Sequence, residues 1–141
     1  MDTHCHLNDA EAFPNVEHTL AQARGAGVDR VIVVGIDPAG WRSALDLADQ
    51  FADVFVALGL HPNHASQFSP AVLRELESLL PHPKCLALGE IGLDRHWSFA
   101  TPDEQERALH AQLDLAASVG KPVVFHCREA YPDLLSLLEI G

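Results

Sequence analysis

The chain has 141 residues and a formal charge of −11, with 48% hydrophobic and 21% charged residues. This length and composition predict one domain with a hydrophobic core and exclude an extended disordered chain. The excess of acidic residues argues against a basic surface that wraps nucleic acid, but it is compatible with an enzyme that meets phosphate through bound cations.

Short apolar runs, typical of strands buried on both faces, alternate along the chain with longer segments of helical periodicity. Asp37, Ser69 and Thr101 are each followed by proline and are predicted to be N-cap residues, and Glu104 is predicted to form a capping box with Thr101. Gly120 is placed to end the helix that Thr101 begins. In chain order, we predict a strand through DTHCH, a helix near 15–26, a strand at 29–36, a helix at 38–51, a strand at 54–61, a helix at 69–80, a strand at 85–92, a helix at 101–120, a strand at 121–127 and a helix over YPDLLSLLEI.

Five β/α units in series predict an α/β fold with a parallel sheet and right-handed crossovers. Two architectures have this pattern: a doubly wound open sheet and part of a (β/α)₈ barrel. No glycine-rich nucleotide-binding fingerprint follows any predicted strand. A whole barrel needs about 250 residues, more than this chain provides. Both architectures remain open on periodicity alone.

Ligand-type residues lie where four of the predicted strands end, the edge at which functional side chains of parallel β/α folds collect. A single histidine at a strand end is more commonly a packed core residue, but convergence from four strands favours a divalent-metal site. Imidazole and carboxylate suit such cations, and two cations can activate water and clamp a phosphoryl group. The residues are His4 and His6 on the first strand, His61 on the third, Glu90 on the fourth, and His126 and Arg128 on the fifth.

The segments DTHCHLND, GLHPN, ALGEIGLD and PVVFHCREA resemble the successive signatures of the TatD family of metal-dependent deoxyribonucleases, within the amidohydrolase-like barrel superfamily. The resemblance implies hydrolysis of DNA phosphodiester bonds, as a 3′-5′ exonuclease, through activation of water by two divalent ions. Mg²⁺ is the ion it implies, with Zn²⁺ or Mn²⁺ as alternatives. It further implies that the metal ligands are His4, His6, Glu90 and His126, with Glu90 also catalytic and His61 and Arg128 close to the substrate phosphate.

The resemblance also favours the barrel, as an incomplete TIM-type (β/α)₈ barrel with strands six to eight absent. The family supplies a further histidine from the sixth strand and an aspartate from the eighth. We therefore interpret residues 1–141 as the N-terminal part of a single metal-dependent hydrolase domain. We expect this part to be inactive alone and to self-associate through an exposed strand edge.

Two alternatives to the nuclease remain: an amidohydrolase that cleaves C–N bonds, and a fragment without catalytic function. Many amidohydrolases carry a carboxylated lysine on the fourth strand, where this chain has Glu90. We expect DNA as substrate and no obligate protein partner. Three cysteines without paired spacing, no apolar run that could span a bilayer and no secretory leader pattern predict a cytoplasmic protein without a membrane partner.

Several residues outside the predicted ligand set also have predicted roles. Asp94 is interpreted either as an acceptor that braces a ligand histidine or as a loop cap. Trp41 is expected to pack its helix, whereas Trp97 lies in a loop where its ring could stack on a base. His64 and His96 follow strands that carry site residues and are candidates for substrate contact. The three cysteines are expected to be small packing residues.

Overall fold

The computed structural model describes residues 2–9 and 14–140, with side chains within 5–9 and 14–138. Within these residues five strands alternate with five α-helices, which confirms the predicted alternation, and a 3₁₀ helix that the sequence did not predict follows the third strand. The strands are β1 (Asp2–Cys5), β2 (Val31–Gly35), β3 (Val54–Leu58), β4 (Cys85–Asp94) and β5 (Val123–Arg128). The helices are α1 (Val16–Gly25), α2 (Pro38–Gln50), α3 (Pro70–Leu79), α4 (Pro102–Val119) and α5 (Tyr131–Ile140), and the 3₁₀ helix is Pro62–Gln67.

The predicted capping residues hold the helix ends. Asp37 and Ser69 accept backbone N–H groups at the starts of α2 and α3. Thr101 and Glu104 form the reciprocal capping box of α4, and Gly120 ends that helix in the left-handed conformation with a φ of 70°. These caps fix where α2, α3 and α4 begin, and therefore the lengths of the loops that follow β2, β3 and β4.

All strand pairings are parallel, and the sheet order follows the chain as β1-β2-β3-β4-β5. A doubly wound sheet reverses its strand order at a switch point, whereas a TIM-type barrel adds each strand beside the previous one. The consecutive order confirms the incomplete TIM-type barrel and excludes the doubly wound alternative. The carboxyl ends of β3, β4 and β5 consequently lie side by side at one edge of the sheet.

The core lies between the sheet and the helices that cover it. Trp41 of α2 is fully buried, and its indole N–H donates to the Gly59 carbonyl at 2.7 Å, so the predicted packing role is confirmed. No helix of the described segments combines the length and apolarity needed to cross a bilayer. Fully buried apolar side chains of the sheet and its covering helices include Val33, Val54, Val56, Leu58, Leu76, Leu80, Leu88, Ile91, Leu93 and Leu109.

Two glycines of β4 allow β5 to approach closely. A Cβ at Gly89 would lie 2.6 Å from the Cβ of Val124, and a Cβ at Gly92 would lie 1.8 Å from the His126 carbonyl oxygen. Gly92 also has a φ of 153°, which side chains disfavour. Because these two glycines flank Glu90, the close approach brings its carboxylate beside the side chains of β5.

Candidate metal centre

Three predicted site residues meet at the carboxyl edge of the sheet. His61 follows β3, Glu90 lies in β4 and His126 lies in β5, and each offers a ligand atom within 4.8 Å of the others. Glu90 Oε1 lies 2.8 Å from His126 Nδ1 and 3.3 Å from His61 Nε2. The two imidazole ring centroids are 4.2 Å apart. Because His61 and Glu90 are buried, the cluster could hold a divalent cation in a partly desolvated setting.

Asp94 holds the opposite side of the His126 ring. Its Oδ2 lies 3.0 Å from His126 Nε2, and its Oδ1 accepts the backbone N–H groups of His96 at 2.9 Å and Trp97 at 3.1 Å. Asp94 is 1% exposed. Burial alone raises the pKa of this carboxyl, but the hydrogen bonds from Trp97, His126 and His96 outweigh burial and hold the pKa below its usual value. Asp94 is therefore a charged acceptor that also caps its loop, which combines both interpretations made from the sequence.

This arrangement decides which His126 nitrogen can bind a cation. A neutral imidazole carries one N–H, and we assign it to Nε2, which lies 3.0 Å from Asp94, the more deeply buried of the two carboxylates beside the ring. Nδ1 is then left with its lone pair beside Glu90 Oε1. Two acceptor atoms at this separation repel each other unless a proton or a cation is shared between them. A histidine that donates to a carboxylate from one nitrogen and offers the other to a metal is the usual arrangement of metal-binding imidazoles, so these residues fit a divalent cation.

His61 is better suited to donate a hydrogen bond than to bind a metal. Its Nδ1 accepts the backbone N–H of Asn63 at 3.1 Å, so in the neutral ring the proton lies on Nε2. Nε2 then donates toward Glu90, and the same N–H could donate to an anionic substrate oxygen. The role beside the substrate phosphate that was expected for His61 stays a prediction.

Among the side chains that the structure describes, those of His6 and Arg128 lie outside this cluster. The side chain of His4 lies outside the described residues, so its expected role as a ligand stays a prediction. His6 is exposed and lines a surface cavity of about 630 Å³ at the ends of β1 and β2, which Asp9 and Asp37 also line. Arg128, the last residue of β5, is exposed. The role of His6 as a metal ligand remains a prediction. The role of Arg128 as a contact to the substrate phosphate also remains a prediction.

Two buried glutamines of α4 support the site, and sequence reasoning missed both. Gln112 Oε1 accepts the Leu60 N–H at 2.7 Å, while its Nε2 donates to the Leu60 carbonyl at 3.3 Å. Gln105 makes the same pair of bonds with Asp94, at 2.9 and 3.0 Å. Leu60 directly precedes His61, so α4 holds the backbone of two site loops. The available signal was a pair of amides seven residues apart on the apolar face of a predicted helix.

The structure also describes His64 and His96, the two histidines predicted as candidates for substrate contact. His64 lies in the 3₁₀ helix with its Nδ1 3.1 Å from Gln67 Nε2, and its ring is 6.5 Å from that of His61. His96 Nδ1 lies 3.2 Å from a carboxylate oxygen of Glu129, which follows β5. Both histidines therefore border the candidate centre. Within the described part of the chain the three cysteines form no disulfide; Cys85 is buried, and Cys5 and Cys127 are partly buried.

Comparison with known proteins identifies the family to which the chain is related. A family model described as TatD related DNase matches residues 1–140. The 3′-5′ ssDNA/RNA exonuclease TatD of Edwardsiella piscicida is 38% identical over 139 residues, covering 98% of this chain and 54% of that protein. An uncharacterised metal-dependent hydrolase of Bacillus subtilis is 32% identical, with coverage of 99% and 54%.

A solved structure has the same fold. The crystal structure of a TatD homologue from Escherichia coli superimposes with a TM-score of 0.91 at 33% identity, covering 99% of this chain and 54% of that one. The chain thus spans about half the length of the relatives it matches. Because the family match extends over residues 1–140, the chain belongs to the family of TatD-related, metal-dependent DNases.

Proposed function

We propose that the protein acts in metal-dependent hydrolysis of phosphodiester bonds in single-stranded DNA, removing nucleotides from the 3′ end. The observation that carries this proposal is the convergence of Glu90 and His126 from adjacent strands, with Asp94 fixing the histidine tautomer. The name of the Edwardsiella piscicida relative supports the substrate and the direction of cleavage. Glu90 in β4, in place of a lysine, favours phosphodiester cleavage over cleavage of a C–N bond.

The proposal gives each site residue a role. Glu90 and His126 Nδ1 would hold one divalent cation, and Glu90 would also be a ligand of a second cation together with His4 and His6. The cations, for which we propose Mg²⁺, would activate water and stabilise negative charge at phosphorus. His61 donates from Nε2 to a phosphate oxygen, and Arg128 pairs with the same phosphate.

We further propose that residues 1–141 alone bind divalent cations weakly and hydrolyse DNA negligibly. The described side chains bring together Glu90, His126 and the hydrogen-bond donor His61, while His6 and Arg128 remain exposed. A cation held by two side chains and otherwise by water is bound more weakly than one in a fuller ligand set. Turnover of single-stranded DNA by the purified chain near the rates usual for enzymes would contradict this part of the proposal.

The metal site is tested by titrating the purified chain with Mn²⁺ and following free Mn²⁺ by electron paramagnetic resonance. We expect weak Mn²⁺ binding, and we expect Glu90→Gln to reduce the affinity at least about tenfold. The carboxamide keeps the shape of the side chain but loses its charge. Even residues that only hydrogen-bond to metal ligands contribute about 10–100-fold to metal affinity. Glu75→Gln is the matched control, since Glu75 pairs with Arg42 on the surface. Equal Mn²⁺ affinity in Glu90→Gln and the parent chain would reject the site.

The activity is tested by fusing residues 1–140 to the C-terminal remainder of the Escherichia coli relative. The fusion is incubated with Mg²⁺ and single-stranded DNA labelled at its 3′ end. We expect labelled mononucleotide as the first product, and its loss in the Glu90→Gln fusion while the Glu75→Gln fusion keeps it. Undiminished hydrolysis by the Glu90→Gln fusion would reject the nuclease proposal.

A further inference from the structure

Two aromatic rings lie stacked and exposed in the loop between β4 and α4. Trp97 is 46% exposed and Phe99 is 63% exposed. Their ring centroids are 5.6 Å apart with an interplanar angle of 30°. We call this pair the aromatic platform. Large aromatic side chains normally bury their rings, so two adjacent rings that stack on each other and remain open to solvent offer a ready surface for a third planar group.

The aromatic platform is connected to the candidate metal centre through hydrogen bonds of Asp94. Asp94 Oδ1 accepts the backbone N–H of Trp97 at 3.1 Å, and its Oδ2 faces His126 at 3.0 Å. Asp94 is in turn held through its own backbone by Gln105 of α4. One buried carboxylate therefore fixes both the histidine proposed as a ligand and the start of the segment that carries the aromatic rings.

The charges around the platform favour the face of a base over a phosphate. The rings of His96 and Trp97 form a T-shaped pair, with a centroid distance of 4.7 Å and an interplanar angle of 88°. His96 is itself paired with Glu129, and the nearby Arg95 is engaged by Gln105 and by the carboxylates of Glu106 and Asp133. Both basic side chains of this loop thus face carboxylates, in a chain whose formal charge is −11. A phosphate would gain little there, whereas an uncharged π-face is unaffected.

We propose that the aromatic platform stacks an unpaired base of the nucleic acid strand next to the phosphodiester being cleaved. This inference rests on the proposed nuclease function and adds to it a binding site for one base of the single strand. Base stacking tolerates any sequence, because every base has a π-face. A base inside a duplex already stacks on its neighbours and is not available to the platform.

Trp97 is a natural reporter for this contact. The chain has two tryptophans, and Trp41 is fully buried with its N–H bonded to Gly59. Stacking of a base on Trp97 should therefore quench the fluorescence of Trp97 and leave the fluorescence of Trp41 unchanged. The purified chain is titrated in EDTA, so that neither cations nor hydrolysis contribute, with single-stranded oligodeoxyadenylate, an abasic oligonucleotide of the same length, and a blunt hairpin duplex.

We expect saturable quenching by oligodeoxyadenylate and little by the abasic strand or the duplex. The quenching should persist as salt is raised, since phosphate-driven binding falls steeply with salt and stacking does not. Equal quenching by the abasic strand, or no saturable quenching by oligodeoxyadenylate, would overturn the platform.

Variants of Phe99 test the platform while Trp97 remains as reporter. Phe99→Ala should weaken oligodeoxyadenylate binding by roughly fivefold to tenfold, the lower part of the range found when stacking side chains are truncated. Phe99→Tyr should restore it. Leu86→Ala is the control, an exposed apolar residue near the opposite end of β4. Unchanged affinity in Phe99→Ala would overturn the proposal. Because no step of this assay needs a metal, retained stacking without hydrolysis by the fusion would refute the nuclease function alone.

Discussion

His126 has a carboxylate on each side of its ring, and the two carboxylates have different roles. Asp94 is buried, charged and held by two backbone N–H groups, so it fixes the proton on Nε2. Glu90 lies against Nδ1, the nitrogen that keeps its lone pair. The binding chemistry of this histidine is therefore set by a residue that needs no contact with the cation.

Replacing Asp94 by asparagine should weaken cation binding with little change in the loop. The amide oxygen can still accept the N–H groups of His96 and Trp97, but the amide nitrogen donates toward His126. The imidazole then moves its proton to Nδ1 and loses the lone pair beside Glu90. We expect Mn²⁺ affinity to fall by about 10–100-fold.

The control for this prediction is a second histidine–aspartate pair on the surface. His82 Nε2 lies 3.1 Å from Asp49 Oδ1, and Asp49→Asn should leave Mn²⁺ affinity unchanged. Imidazole nitrogen shifts in the NMR spectrum report the tautomer of His126 directly. If Asp94→Asn kept the proton on Nε2 and the parent affinity, the tautomer argument would be wrong.

Site residues could be predicted from the sequence where their position along a strand decides that they reach the site. Glu90 and His126 follow from their places in apolar runs, because parallel strands bring their carboxyl ends to one edge. The tautomer of His61 was not predictable, since it depends on how the unpredicted 3₁₀ helix turns the Asn63 N–H back onto Nδ1. Gln105 and Gln112 were missed because a buried amide is recognised only by the backbone groups it bonds, and those are distant in sequence.

Helix α4 links two site loops through these glutamines. The spacing of seven residues places both amides on one face, where each bonds the N–H and the carbonyl of a single residue. Helix caps, by contrast, are local, which is why the boundaries of α4 were predicted from Thr101, Glu104 and Gly120 whereas its contacts were not.

Gln112→Met should destabilise the fold and loosen the site together. Methionine fills a similar volume but leaves the buried N–H and carbonyl of Leu60 without partners, which costs about 1–3 kcal/mol per group in the free energy of unfolding. Because Leu60 precedes His61, the loop should also become mobile. Urea unfolding and amide hydrogen exchange at Leu60 and His61 measure the two effects.

His110→Met is the matched control, an exposed position two residues earlier on α4. It should change the free energy of unfolding by less than about 0.5 kcal/mol. Equal stability of Gln112→Met and His110→Met would show that the Leu60 backbone does not depend on α4.

Among residues 2–9 and 14–140, β5 is an edge strand of the sheet, and the helix that follows β5 is strongly apolar. Leu135 is 58% exposed, and Phe125, Tyr131 and Leu138 are also exposed on β5 and α5. We call these four residues the β5–α5 surface. An edge strand beside exposed apolar side chains is a natural place for another chain to pair. The net charge of −11 opposes such pairing, so screening by salt should promote it.

We therefore expect the chain to self-associate through the β5–α5 surface, and to do so more strongly at high salt. Sedimentation velocity should show a weight-average mass that rises with protein concentration. Leu135→Lys should suppress the rise, because the ammonium group must be desolvated on pairing. Gln50→Lys, at the exposed end of α2, introduces the same charge on a helix that packs against β2 and β3, and it should associate like the parent chain. A constant monomer mass of the parent chain at every concentration and salt would contradict the prediction, as would equal association of the Leu135→Lys variant.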